Sequence, residues 1–551
     1  MRNINCFRLV LIFTFVPKIV NMKRIFFLLV IITQYAYGQT VNKAEINSIK
    51  NIIGFLADDK LEGRRTGSNG EKLAYEFIIK KFTEAGLHAK GNNNDYLQEF
   101  EVKDGKAINK QTSLLINQQP LKLDSFYFPL AYSANIEMLE IAASDESIVY
   151  YNTAPVIEQN KSNPHFDLKE DIYNAAKKTQ TENKKLFIIY NSSNELTDDI
   201  TFEPKDKAEL LKIPVIYYTK KEKLAGKITL TISISEKTRY GHNVAGYIDN
   251  KAPYTIILGA HYDHLGYGED HNSLYAGSSP MIHNGADDNA SGVAALLVLS
   301  KWLKSSGLKK YNYAFLAFSG EELGLYGSKY FTEHSTVDLT KVNYMLNMDM
   351  LGRLNDSTHG LTIGGYGTSP AWADIVHKDD TYFKIKTDSS GTGPSDHTSF
   401  YKKDIPVLYF FTGSHSDYHK PSDDADKINY EGEAKVISYI KQVLTTTDKM
   451  DKIGFLKTKD PVSTKSSFKV TLGIMPDYTY DGDGVRVDAV IDNRPAQKAG
   501  IKTGDVIFQL GEHGFNDIQT YMQALNKFSK GEATKVKLRR GTEVLVVDLV
   551  F

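Results

Sequence analysis

Y-T-I-I-L-G-A-H-Y-D-H-L-G, Tyr254 to Gly266, is an apolar run that ends abruptly in histidine and aspartate. Short apolar runs bounded by turn residues read as strands buried on both faces, so Tyr254 to Ala260 is predicted as a central strand. His261 and Asp263 follow at its carboxyl end. The same grammar repeats downstream. N-G-A-D-D-N-A-S-G (Asn284 to Gly292) leads into a helix over Ala290 to Ser305, with Val293, Leu296, Leu297, Leu299 and Leu303 on its apolar face. S-G-E-E-L-G (Ser319 to Gly324) follows a strand over Tyr313 to Phe318. N-M-D-M (Asn347 to Met350) closes a strand over Val342 to Met348, and D-Y-H-K-P (Asp417 to Pro421) follows one over Ile405 to Phe411. Strand, loop and helix in alternation predict an α/β fold: a mixed, mostly parallel sheet flanked by helices.

In open α/β sheets ligands gather at the carboxyl ends of the strands. There this chain collects imidazoles and carboxylates, the donors preferred by borderline metals such as zinc. Two cations sharing a carboxylate can polarise a carbonyl and activate water. Adjacent glutamates, Glu321 and Glu322, point in different directions, so one can ligate while the other serves as base. The motifs are therefore read as a two-metal hydrolase centre.

The rest of the 551-residue chain sets bounds on that reading. With 41% hydrophobic and 24% charged residues it can build ordinary cores. Its net charge of -1 gives no bulk attraction for nucleic acid. Met22-Lys23-Arg24, the apolar run Ile25 to Ile32 and Ala36-Tyr37-Gly38 make an export signal, residues 1–38, with translation expected to begin at Met22. Neither N-terminal apolar run reaches the ~18 residues of a membrane span, so no span is expected after cleavage, and the mature chain is predicted to be periplasmic or secreted. The single cysteine, Cys6, falls in the removed part, which excludes disulfides and thiolate ligation.

Residues 39–102 contain two amphipathic helices (Ala44 to Leu56 and Glu71 to Ala85) around a Gly/Arg-rich turn that could wall a cleft. Residues 103–239 alternate short strand-like runs with polar connections and are predicted as a β-rich inserted domain. The sheet resumes over 240–450. A linker, 451–465, leads to a compact unit over 466–551. Its run A-G-I-K-T-G-D-V-I, Ala499 to Ile507, resembles the PDZ domains of bacterial envelope proteases. By that resemblance Leu472, Gly473 and Ile474 form the loop that holds a peptide's C-terminal carboxylate; a regulatory or purely packing role for the unit stays open.

The ordered set of motifs resembles the di-zinc aminopeptidase family, which includes bacterial leucyl aminopeptidases and, more distantly, glutamate carboxypeptidase II and the transferrin receptor. The resemblance is strongest from His242 to Ile428. It implies a zinc exopeptidase-like fold with a protease-associated-like insert, two zinc ions and peptide substrates. Carried over by motif, His261 and Asp349 bind one zinc, Glu322 and His419 the other, and Asp287 bridges them. Glu321 is the general base. Asp263 orients His261, Asp288 marks an unusual backbone bend after the bridging residue, and Tyr418 steadies the oxyanion. The transferrin-receptor branch keeps the fold without the metals, whereas no ligand position is lost here. Asp396 and His397 stand either for a pocket wall or for a structural turn; His264, His271, His283 and His415 receive no ligand role. Aminopeptidase action is the expected activity. Carboxypeptidase, dipeptidase or glutaminyl cyclase action on the same scaffold, or a non-catalytic peptide-binding envelope protein, are the alternatives.

Overall fold

The computed structural model describes residues 42–551 except 164–165, 183, 207, 276, 278, 459–469, 477–479, 481, 492–493 and 517. The expected export signal and the later part of the expected linker lie outside the described residues. The chain opens with helices α1 (Lys43–Leu56) and α2 (Asn69–Glu84), whose first turns are capped by the side chains of Asn42 and Ser68. Their apolar stripes, Ile49, Ile52, Ile53 and Leu56 on one and Ala74, Ile78 and Phe82 on the other, are buried in the main core. Strands β1 (His88–Ala89) and β2 (Leu97–Ile108) follow.

The inserted segment contains β3 (Ser113–Ile116), β4 (Gln119–Leu121), β5 (Tyr127–Pro129), β6 (Ile136–Ala142) and β7 (Ile148–Asn152), then helices α3 (Thr153–Asn160) and α4 (Leu168–Thr179), then β8 (Leu186–Tyr190), β9 (Val215–Tyr218) and β10 (Lys227–Ile232). These strands form two four-stranded sheets, β4-β3-β10-β6 and β5-β9-β8-β7. The insert is thus less purely β than its sequence implies. Strands β7, β8 and β9 are parallel neighbours, and parallel neighbours need a crossover. Helices α3 and α4 supply it between β7 and β8, with α4 burying Ile172 and Ala176 against Phe187 and Ile189.

Strand β11 (Ile234–Ile248) pairs antiparallel with β2 from Ile234↔Ile108 to Val244↔Leu97. The expected domain limits at 103 and 239 both fall inside this ribbon. Beyond it come β12 (Thr255–His261), α5 (Gly292–Ser305), β13 (Asn312–Phe318), α6 (Tyr326–Glu333), β14 (Val342–Met348), β15 (Gly360–Gly364), α7 (Trp372–Ile375), β16 (Lys384–Thr387), α8 (His397–Tyr401), β17 (Val407–Phe411) and α9 (Tyr430–Thr447). The central sheet has nine strands in the order β1-β11-β13-β12-β14-β17-β15-β16, with β2 added on β11. Its middle, β13-β12-β14-β17, is parallel. Every residue of β12, β13 and β14 is buried, as a sheet covered on both faces requires. Helices α1, α2, α5 and α9 cover one face; Phe331 of α6 and Phe400 of α8 pack on the other.

The C-terminal unit has its own core around Leu472, Val485, Ile507, Val536 and Leu538. It comprises β18 (Ile474–Pro476), β19 (Val485–Val490), α10 (Pro495–Lys498), β20 (Val506–Leu510), β21 (His513–Gly514), α11 (Ile518–Leu525), β22 (Ala533–Arg540) and β23 (Glu543–Val550). Its sheet runs β18-β19-β20-β22-β23, so β18 is an outer strand. Among the described residues, no helix is long and apolar enough to cross a membrane.

Candidate metal centre

Strand β12 is where the sheet changes direction of growth: β13 lies on one side of it and β14 on the other. Such a switch point opens a crevice at the carboxyl ends of the strands. His261 is the last residue of β12, Glu321 and Glu322 follow β13, Asp349 follows β14, and His419 lies in the loop after β17. The parallel strands therefore bring residues up to 158 positions apart (419 − 261) to one rim.

At that rim the side chains meet in two sets around one carboxylate. His261 Nε2 is 3.3 Å from Asp288 Oδ1 and 3.4 Å from Asp349 Oδ1. His419 Nε2 is 3.3 Å from Asp288 Oδ2 and 3.1 Å from Glu322 Oε2. Donor atoms around a tetrahedral ion with bonds of ~2.0–2.1 Å are separated by roughly 3.3 Å. Spacing and donor chemistry both fit a zinc-type cation in each set. His264, given no such role from its sequence position, joins the second set: its Nδ1 lies 2.7 Å from Glu322 Oε1 and 3.9 Å from Asp288 Oδ2.

The place expected for Asp287 is held by Asp288. The Asp287 carboxylate turns away, accepting from the backbone N–H of Gly352 (2.6 Å) and the hydroxyl of Ser291 (3.1 Å) and lying 3.1 Å from His415 Nε2. The reason is local. Gly285 is left-handed (φ 55°) and Asp288 is extended, so the chain turns between the two carboxylates. The carboxylate of Asp423 accepts the backbone N–H groups of both Asp287 and Asp288 and fixes the bend. Asn289 secures its far side, accepting from the N–H groups of Gly292 and Met350 and donating to Met348 O. The bend thus belongs to Asp288 itself rather than to a residue beyond the bridge.

Charge is tightly balanced. Burial opposes a proton on His261, but the nearby carboxylates of Asp349, Glu321, Asp263 and Asp288 outweigh it and raise its pKa well above the ordinary range. Burial likewise opposes ionisation of Glu322, yet His419 and His264 hold its pKa down at about 2. Glu321 is the opposite case: burial, Glu322, Asp396 and Asp349 push its pKa well above normal despite His261. Two neighbouring glutamates are thus split into a ready anion and a strong proton acceptor. Asp263 lies beneath them. Its backbone carbonyl is 3.2 Å from His261 Nδ1, and its carboxylate accepts from the Glu321 N–H (3.2 Å) and the Thr66 hydroxyl (3.1 Å).

A cavity of about 710 Å³ opens over the rim, lined by His261, Asp288, Glu321, Glu322, Asp349 and His419. Tyr418 also lines it and stacks on His419 with ring centres 3.9 Å apart. Burial and the carboxylates of Asp288, Glu322 and Glu321 raise its pKa well above 10, so its phenol remains a donor. His397 lines the cavity, stacked on Tyr409 at 4.7 Å, and burial lowers its pKa to about 3. Asp396 is fully buried and does not line the cavity; burial lifts its pKa to about 7.

Residues 243–444 match Peptidase family M28, and residues 443–550 match a PDZ domain. The chain carries an M28 peptidase domain followed by a PDZ domain. Aminopeptidase YwaD of Bacillus subtilis is 27% identical over 275 residues, 47% of this chain and 56% of that protein. Leupeptin-inactivating enzyme 1 of Streptomyces exfoliatus is 31% identical over 170 residues, 29% of this chain and 36% of that protein. The chain therefore spans only about half, or less, of these relatives' lengths. Among solved structures, a zinc aminopeptidase from Bacillus subtilis aligns over 75% of this chain and 98% of its own, with 19% identity and a TM-score of 0.43.

The M28 domain is held behind its rim by a residue that the sequence marked only as part of a turn. Arg64 is fully buried, and its guanidinium donates to the carbonyls of Tyr262 (2.8 Å), Asn284 (2.6 Å), Gly285 (3.0 Å) and Leu56. Burial lowers its pKa to about 10, leaving it charged at neutral pH. It joins the ends of the two loops that present His261 and Asp288. In the PDZ domain, Leu472 O accepts from the Ala496 N–H and Gly473 O from the Ile491 N–H, while Gly473 adopts φ 74°. That turn starts the outer strand at Ile474.

Proposed function

We propose that this chain is an exported zinc aminopeptidase that hydrolyses the N-terminal peptide bond of peptides. The observation that carries the reading is the pair of donor sets sharing Asp288, with Glu321 unshared beside them. His261, Asp288 and Asp349 would hold one zinc; Asp288, Glu322 and His419, with His264 alongside, the second. Zinc bound there supplies a Lewis acid for the scissile carbonyl and lowers the pKa of water. Glu321 takes the proton of the attacking water on its carboxylate and hands it to the departing amine nitrogen. Its place on the cavity wall, outside both donor sets, leaves its carboxylate free for that transfer. The Tyr418 phenol donates to the oxygen on which charge develops. His397 and Tyr409 make an uncharged aromatic wall against which the substrate side chain packs. The N-terminal signal supports export, the imidazole and carboxylate donors support the choice of metal, and an aminopeptidase among the similar proteins supports the reaction.

Metal analysis with kinetics of Glu321→Gln tests this. The variant should keep two zinc per chain and lose roughly 10²–10⁴-fold in kcat. Retained turnover would remove Glu321 as the base, and a metal-free wild-type protein would leave a peptide-binding module. A panel of aminoacyl reporters, N-blocked peptides and N-terminal glutaminyl peptides separates aminopeptidase from carboxypeptidase, dipeptidase or cyclase action.

A further inference from the structure

The cavity above the metal rim has an unexpected second wall. Besides His261, Glu322 and His419, it is lined by Ile474 and Pro476 of β18, in the PDZ domain. Lys386, also lining the cavity, donates to Tyr480 O across 3.1 Å and ties β16 of the M28 domain to the PDZ chain just beyond β18. Among the described residues, strand β18 is the outer strand of its sheet and pairs with β19. An outer strand can take an extended peptide as one more strand. The loop before it is a tight one: a Cβ on Gly473 would lie 2.1 Å from Arg494 Cβ, so this turn requires glycine.

We propose that a single short peptide occupies both domains at once. Its N-terminal residue lies at the metal rim, its main chain runs beside β18, and its free C-terminal carboxylate is held at Leu472-Gly473-Ile474. The PDZ domain is then the far wall of the catalytic cleft, and the enzyme selects peptides by length and by a free C-terminus. The proposal rests on the aminopeptidase reading of the centre. The cavity volume of about 710 Å³ falls within the ~300–1,000 Å³ of pockets that enclose one small ligand, which suits a short peptide better than a folded chain.

The test uses the full-length zinc-loaded enzyme and a series of peptides of increasing length. Each peptide is made as the free acid and as the C-terminal amide. For one length, amidation should raise KM about tenfold, the size of one charge-assisted hydrogen bond, with kcat little changed. The acid–amide difference should vanish for dipeptides and for peptides well beyond that length. Pro476→Glu, which places a carboxylate on the cleft side of β18, should abolish the preference for the free acid. Equal KM for acid and amide at every length would overturn the proposal. So would a preference independent of length, because the PDZ domain would then capture peptides apart from the cleft. Absence of any aminoacyl hydrolysis would instead overturn the aminopeptidase reading. In that event, calorimetric binding of the same peptide pairs to Glu321→Gln, which needs no turnover, still decides whether the carboxylate and the length are read.

Discussion

Asp287 and Asp288 are chemically identical and one peptide bond apart, yet the fold gives them opposite surroundings. Asp288 is aimed between two imidazoles, whereas Asp287 is fully buried and accepts from the N–H of Gly352 and the hydroxyl of Ser291. Asp288→Asn should therefore lose bound zinc and activity together. Asp287→Asn should bind zinc with Asp288 intact but unfold at lower denaturant, by roughly 1–3 kcal/mol for the disturbed buried acceptors. Metal content after dialysis, set beside urea unfolding, distinguishes the two; zinc loss in Asp287→Asn alone would reverse the assignment. A milder effect is expected at Asp263, whose carboxylate lies 3.7 Å from His261 Nδ1, on the side of the ring away from the rim, and accepts the Glu321 N–H. Asp263→Asn should weaken zinc by about 10–100-fold, read by chelator competition. The motifs around these residues were legible because the chemistry needs rare side chains at strand ends. The order of the two aspartates was not, because it depends on a backbone bend held by Asp423, which lies far along the chain.

Strands and their polar ends were equally readable: each core strand is a plain apolar run, and parallel pairing sends their carboxyl ends to one edge. Two kinds of element escaped. Helices α3 and α4 lie among Lys- and Asn-rich residues whose polarity masks the short apolar stripe of α4, Ile172 and Ala176, and the parallel pairing of β7 and β8 is what demands them. The turn that holds Arg64 was legible only as a possible cleft wall, because most of its partners are carbonyl oxygens of remote segments, which leave no trace in side-chain patterns. Arg64→Met should take the guanidinium donor from the buried carbonyls of Tyr262 and Asn284 and cost at least ~3 kcal/mol. Since the same carbonyls flank His261 and Asp288, zinc affinity should fall as well, and calorimetric zinc titration of the variant checks this. Unchanged affinity would confine Arg64 to stability.

At the scale of the molecule, a cluster of charge fastens the insert to the central sheet. Asp270 accepts from Arg65 (2.8 Å) in the N-terminal segment, from Arg239 (2.9 Å) in β11 and from Lys205 (2.6 Å) in the insert. Burial works against ionisation of Asp270, but these cations hold its pKa far below the ordinary aspartate range. A depressed folded pKa gives stability that is complete above the unfolded value, ~3.9 for aspartate. That stability is lost as pH falls through the lower folded value. Asp270→Asn should therefore cost about 3 kcal/mol at neutral pH. The gap from wild type should hold down to about pH 4 and close only in stronger acid, as followed by denaturant melts across pH; a gap independent of pH would rule out the charge as its source.

The β2–β11 ribbon has a further consequence. Ile108 and Ile234 are register partners at its outer end, so everything between them enters and leaves through two neighbouring points. In topological terms the insert is an enlarged hairpin tip. Replacing residues 109–233 with a two-residue Asn-Gly turn, the tightest reversal two antiparallel strands accept, should leave the parent sheet continuous. The site could then host a different module, grafted without recutting the catalytic fold.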